Sequence, residues 1–283
     1  MRGAVVVTGA SGFVGQRLVA RLGAEGVAVH AVCRRDVEVP GATAVHLVRD
    51  YGQTPAIADA VLVHLAGERS LAAAESRGAS GVAEAAGAAR ALVGNGYRGL
   101  IVASSAVVYG DKSPDPHRPD EVVHPQNRYA EAKLSCEAAF VQAGGLAMRL
   151  GNVYGPGMAP ESVVAEIVAQ IPGDGPVRIR DAGPIRDFVW IDDVIEAFVA
   201  AARRPQAGIL NVGSGQGVSI GALAATALKV AGAERRLVVS ARLPPGRPSA
   251  CLLDVQETRS KLGWRAVTPL AAGLGILVSE GRA

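Results

Sequence analysis

Residues Ala4–Gly15 read AVVVTGASGFVG, and the order of features in them decides the fold. A short β-branched run (Ala4 to Val7) ends at a glycine-rich turn, as a strand buried on both faces of a parallel sheet should. Gly9, Gly12 and Gly15 follow at G-x-x-G-x-x-G spacing. A helix-like stretch, FVGQRLVARLGAEG, comes next, with Phe13, Val14, Leu18 and Leu22 on one side. Glycine in such a turn permits positive φ and close approach of the backbone to a pyrophosphate. The helix N-terminus then offers free N–H groups to the negative charge. Strand, turn and helix occur in the order that a dinucleotide site requires.

The second strand, VAVHAVCRRD, bears on the choice of dinucleotide. An acid at this strand's end commonly holds a ribose 2′-OH. Here Cys33, Arg34 and Arg35 come first and Asp36 lies beyond. Two guanidiniums suit a 2′-phosphate, which favours NADP(H); NAD(H) stays open, because Asp36 could still reach the ribose.

Between Ser104 and Lys133 the chain reads SSAVVYG, a polar loop with four prolines, then YAEAK. Tyr129 and Lys133 are four residues apart and share a helix face. An ammonium beside a phenol favours phenolate, making a proton-transfer pair. Ser105 is a hydroxyl able to orient a carbonyl beside that phenol. The loop's His117 and His124 are expected on solvent, without a catalytic role.

With these segments placed, the chain resembles the extended short-chain dehydrogenase/reductase family, in its nucleotide-sugar epimerase/dehydratase/ketoreductase branch. TGASGFVG is similar to the family's cofactor turn, VLVHLAG (Val61 to Gly67) to its fourth strand, and ASSAVVYG with YAEAK to its active-site segments. RLGNVYGPG (Arg149 to Gly157), IRDFVWIDDV (Ile185 to Val194), ILNVGSGQGVSI and the closing KLGW continue the series. The resemblance implies a catalytic set of Ser105, Tyr129 and Lys133. It places the dinucleotide on Gly9, Ser11, Gly12, Phe13, Val14 and Gly15, on Arg34, Arg35 and Asp50, and on Leu65, Ala66, Gly67, Tyr129 and Lys133. For the substrate it implies Ser105, Asn152, Arg186 and Arg247, with Arg242 as a rival to Arg247. No metal site is expected, since the cysteines show no metal-like pairing and no further ligands cluster near Asp192 and Asp193.

Two departures carry information. Dehydratases of this branch have Asp-Glu before V-Y-G, where this chain has Ala106 and Val107. Neither side chain can move a proton, which argues against 4,6-dehydration. After VHLAG the family has an asparagine-containing stretch, and ESRGASGVAEAAGAARALV offers no asparagine.

The expected fold is α/β: a Rossmann-type doubly wound parallel sheet with a smaller mixed C-terminal substrate lobe. Residues 1–150 form the dinucleotide domain, with a returning segment near 185–212, and 151–283 form a discontinuous substrate lobe. ESVVAEIVAQI reads as an amphipathic helix. Asp192 and Asp193 sit near a helix start, where the dipole favours them.

Composition limits the alternatives. The chain has 283 residues, 49% of them hydrophobic, and a formal net charge of +3. That is enough apolar material for a sizeable core, and it lacks the concentrated basic footprint of a nucleic-acid binder. No run approaches membrane-spanning length, and no signal-like segment opens the chain. Cys33, Cys136 and Cys251 are scattered, as thiols in a reducing cytoplasm. The Ala-rich stretches before Leu92 and after Tyr129 suit close helix packing in a homodimer.

These readings converge on an NADPH-dependent reductase of a nucleotide-linked keto sugar, a dTDP-4-keto-6-deoxyhexose reduced at C4. A nucleotide-sugar 4-epimerase holding NAD is the alternative on the same Ser, Tyr and Lys. A non-catalytic dinucleotide sensor is the third, disfavoured because Tyr129 and Lys133 are both present.

Overall fold

The computed structural model describes residues 3–68, 70–111, 113–241 and 249–280. The chain begins β1 (Val5–Thr8), α1 (Phe13–Ala24), β2 (Val29–Cys33), β3 (Ala44–Leu47), β4 (Val61–His64), α2 (Leu71–Val93), β5 (Gly99–Ser105), α3 (Arg128–Gln142) and β6 (Leu146–Leu150). It continues β7 (Asn152–Tyr154), α4 (Val163–Val168), β8 (Val177–Ile179), β9 (Ile185–Trp190), α5 (Ile191–Arg203) and β10 (Gly208–Val212). The last elements are β11 (Gly217–Ser219), α6 (Ile220–Val230), β12 (Val238–Ser240), β13 (Ala250–Cys251), α7 (Gln256–Leu262) and α8 (Leu270–Glu280).

Seven strands form one parallel sheet in the order β10-β6-β5-β4-β1-β2-β3. Its inner strands are apolar on both faces because helices cover both. Val5, Val7, Val29, Val61 and Ile101 pack with α1 and α5, whereas Val6, Val32, Leu62, Leu100 and Val102 pack with α2 and α3. After β1 the chain builds outward through β2 and β3, then returns to place β4 on β1's other side. That reversal opens a crevice beyond the carboxyl ends of β1 and β4, where ligands of such sheets bind.

A second, mixed sheet centres on β9. It pairs antiparallel with β11 and parallel with β13 and β7. A two-stranded parallel pair, β8 with β12, lies beyond it. Within 185–212, β10 joins the main sheet at its edge and α5 packs against α1, while β9 belongs to the second sheet. Helix α4 covers only six residues of the amphipathic stretch. No helix among the described residues is long and apolar enough to cross a membrane.

Candidate active site

The glycine turn fits a dinucleotide for reasons visible in its packing. Gly9 has φ +71°, and a Cβ there would lie 2.8 Å from the backbone nitrogen of Ala66, in the loop after β4. A Cβ on Gly15 would stand 2.3 Å from the Gly9 carbonyl oxygen. The two glycines thus draw α1 onto the turn and the turn onto the β4 loop, leaving backbone rather than side chains at the crevice. Helix α1 starts at Phe13 behind Gly12, with no side-chain cap. Its first N–H groups therefore lack an intrahelical partner, which is the arrangement a pyrophosphate uses.

A cleft lies between the sheet and the α2–α3 pair. Arg34, Arg49, Asp50, Tyr51, His64, Ala66, Gly67, Arg77, Glu84, Tyr129, Lys133 and Cys136 line it. Of the residues that sequence reading assigned to the dinucleotide, Arg34, Asp50, Ala66, Gly67, Tyr129 and Lys133 share this one cavity. Arg35 is exposed and does not line it, and neither do Leu65 or the turn residues Gly9, Ser11, Gly12, Phe13, Val14 and Gly15.

Tyr129 lies in the first turn of α3, which Asn127 caps by accepting the Ala130 N–H at 2.9 Å. One turn on, the Lys133 ammonium lies 5.7 Å from the Tyr129 ring centre and donates to the Ala103 carbonyl on β5 at 3.1 Å. A Cβ on Gly67 would come within 3.2 Å of that ammonium, so Lys133 also faces the β4 loop. Ser105, the last residue of β5, begins a single 3₁₀ turn (Ala106–Tyr109), its Oγ accepting the Val107 N–H at 3.3 Å. Lys133 thus docks α3 on the strand that ends in Ser105. The positions after Ser105 hold Ala106 and Val107, which offer no acid or base.

At the other end of the cleft the Arg34 guanidinium lies 5.3 Å from the Tyr51 ring centre. Burial pushes the Tyr51 pKa up, against the pull of Arg34. Asp50 spends one oxygen on the Gly52 N–H at 2.5 Å.

Several cleft residues were missed by the sequence reading. His64 is buried at the end of β4, with Nδ1 2.6 Å from the Thr8 hydroxyl and its ring stacked on Phe140. Burial, helped by the Lys133 charge, pushes its pKa down to about 3. The only sign was one polar residue at the end of the run VLVH. The α2 wall, where no asparagine could be placed, carries Arg77 instead. Arg77 bridges Glu68 at 2.5 Å and also Glu84, and the helix is broken at Gly78 (φ +58°).

The substrate residues lie apart from this cleft. Asn152 is exposed at the start of β7, opposite Phe188 of β9. Arg186 donates to the carbonyls of Ile185 and Ser249 and to the Ser249 hydroxyl. Arg242 and Arg247 lie outside the described residues. His117 departs from expectation. It is buried, not on solvent, because its loop folds back along the segment after β13 and stacks the imidazole on Tyr109, ring centres 4.7 Å apart. His124 is exposed.

Residues 5–213 match the NAD dependent epimerase/dehydratase family. The chain belongs to that family. The dTDP-4-dehydro-6-deoxyglucose reductase of Escherichia coli is 28% identical over 205 residues, 67% of this chain and 63% of the relative. The match thus spans less than two thirds of that relative's length. The UDP-glucose 4-epimerase of Mycolicibacterium smegmatis is 30% identical over 308 aligned positions, covering 95% of each chain. Among solved structures, MoeE5 in complex with UDP-glucuronic acid and NAD superposes with a TM-score of 0.85, at 26% identity over 99% of both chains. In this member of the epimerase/dehydratase family, Ser105 ends β5, and Tyr129 and Lys133 lie one turn apart on α3.

Proposed function

We propose that this chain is an NADPH-dependent reductase acting at C4 of a nucleotide-linked 4-keto-6-deoxy sugar, with a dTDP-linked hexose as its substrate. The observation that carries the reading is the single cleft that holds Tyr129 and Lys133 at one end and Arg34 and Arg49 at the other. Among the described residues, neither Arg34 nor Arg49 forms a salt bridge. Two guanidiniums without carboxylate partners, one of them over the half-buried Tyr51 ring, suit a nucleotide carrying an extra phosphate.

The residues that would hold the cofactor are the Gly9–Gly15 turn, Arg34, Asp50, Ala66, Gly67 and Lys133. When bound, the reduced nicotinamide supplies the hydride. Ser105 donates a hydrogen bond to the substrate carbonyl oxygen and so polarises it. Tyr129 gives its phenolic proton to that oxygen as negative charge develops there. Lys133 holds positive charge beside the phenol, favouring its ionised form after the proton has left. Asn152 and Arg186, on adjacent strands of the second sheet, are assigned to the diphosphate, and so is Arg247, with Arg242 as its rival. On this reading residues 1–150 with α5 and β10 form the cofactor half, and the rest of 151–283 the substrate half. A homodimer in a reducing cytoplasm goes with it, in keeping with three free, buried thiols.

The alternative is a 4-epimerase that keeps NAD bound. The epimerase relative aligned over 95% of both chains and the NAD-bound neighbour favour it. The test is to mix protein with NADPH and a panel of nucleotide keto sugars and to follow loss of absorbance. Stoichiometric consumption of NADPH with a dTDP-4-keto-6-deoxyhexose supports the reductase. Purified protein carrying stoichiometric NAD, and inert towards added NADPH, supports the epimerase.

A further inference from the structure

Beneath the cleft, a column of buried polar groups joins segments far apart in sequence. Arg149 of β6 donates from Nε to Glu137 Oε2 at 3.1 Å and from a second nitrogen to the other carboxylate oxygen. Its remaining terminal nitrogen donates to the Pro119 carbonyl at 3.2 Å. Both side chains are nearly inaccessible, 3% exposed for Arg149 and 6% for Glu137. The guanidinium carbon lies 4.7 Å from the Tyr109 ring centre, and the same ring stacks on His117 at an interplanar angle of 3°. Tyr109 in turn donates to Asn211 of β10 at 2.7 Å.

Stability alone accounts poorly for such a pair. Removing two charges from water costs much of what their attraction returns, and well-packed apolar side chains often do as well or better. What the pair supplies is fixed geometry, because a bidentate guanidinium–carboxylate contact sets both distance and orientation.

We propose that Arg149 is a positioning residue for the reaction, locking the helix that carries Tyr129 and Lys133 against the turn that follows Ser105. The placement of Glu137 makes this specific. Tyr129, Lys133 and Glu137 follow one another at four-residue steps and lie along one stripe of α3. Lys133 ties that stripe to β5 through Ala103, and Glu137 ties it to β6 through Arg149. A helix held at one point can pivot; two ties along one stripe fix its slide and its rotation. Arg149 is also the register partner of Ser104, next to Ser105, and its guanidinium covers Tyr109 at the end of the Ser105 turn. One side chain therefore sets proton donor and carbonyl holder relative to each other. A misplacement of about 1 Å between reacting groups can cost about a hundredfold in rate.

The inference rests on the reading of Tyr129 as proton donor, so Tyr129→Phe is run beside the test variants. Arg149→Lys keeps the charge and loses the bidentate fork. The double variant Glu137→Leu/Arg149→Met replaces the pair by apolar bulk. Thermal melting, kcat and the KM for NADPH are measured for each. Positioning predicts a kcat at least about tenfold lower in Arg149→Lys, with the NADPH KM within twofold. It predicts the same loss in the double variant at a melting temperature near that of the parent. A full kcat in Arg149→Lys, or in a folded double variant, overturns the inference, and Arg149→Lys decides alone if the double variant does not fold. Full turnover in Tyr129→Phe instead sinks the underlying reading, and the positioning role falls with it.

Discussion

From Gly9 to Gly15 the chain is shaped by backbone against backbone: the turn meets the loop at Ala66 and the end of β2 at Val32, and the first turn of α1 closes on the Gly9 carbonyl. Around Arg149, by contrast, α3, β6, the Ser105 turn, the proline-rich loop and β10 all meet through polar side chains. Both regions hold the cleft in shape. The first does so by removing side chains, so that backbone can touch backbone. The second does so by burying charge that only distant partners can satisfy. The first kind of constraint leaves a local pattern in sequence, and the second leaves isolated polar residues that look ordinary.

The largest effect is expected at Tyr129. Tyr129→Phe should lower turnover about 10²- to 10⁴-fold, the usual range for a lost proton donor, with little change in NADPH binding by fluorescence titration. The column breaks next. Arg149→Met alone strands the Glu137 carboxylate and should cost about 3–5 kcal/mol in urea unfolding. The turn breaks by addition of one carbon. Gly15→Ala drives a methyl into the Gly9 carbonyl and should cost about 1–3 kcal/mol, with a marked loss of dinucleotide affinity by calorimetry. Equal losses for the last two variants, both in stability and in dinucleotide affinity, would erase the distinction drawn here.

His64 sharpens the comparison, because it is a buried polar group on β4, bonded to Thr8 just ahead of the glycine turn. Its folded-state pKa, about 3, lies below the ordinary 6.5. Between those values the unfolded chain binds a proton that the native state refuses. The contribution of His64 is therefore complete above pH 6.5 and is lost as pH falls towards 3. At pH 5 the loss amounts to about 2 kcal/mol. His64→Asn should flatten that part of the stability–pH curve; an unchanged slope would mean that other groups carry it. The smallest effect is expected at the cleft's far end, where Arg34→Ala should cut the preference for NADPH over NADH about tenfold. Arg35→Ala, whose side chain does not line the cleft, should change it far less.

Much of the sheet could be read from sequence because parallel strands buried on both faces leave short, bounded apolar runs. The pairing of Tyr129 with Lys133 on one helix face was equally legible, since four-residue spacing on a helix is a local property. His64 was not, because one imidazole at the end of an apolar strand carries no periodic signal and its partner Thr8 sits on another strand. His117 was misread as a solvated loop residue because nothing near it in sequence announces Tyr109 as a stacking partner. The α2 wall was illegible for a different reason. Arg77 there works through Glu68 before the helix and Glu84 two turns beyond it, a bridge that only the folded path around Gly78 brings together. Arg35 was grouped with Arg34 on adjacency, yet successive residues leaving a strand diverge, and only Arg34 turns into the cleft.

The central claim is net reduction by an exchanging cofactor at the Tyr129 site. It is tested most directly by incubating the purified protein with a dTDP-4-keto-6-deoxyhexose and NADPH, then following absorbance at the nicotinamide band and identifying the sugar. The account predicts one NADPH oxidised per hydroxyl formed at C4, and none with Tyr129→Phe. Interconversion of C4 epimers of a nucleotide sugar with no net loss of NADPH would contradict it.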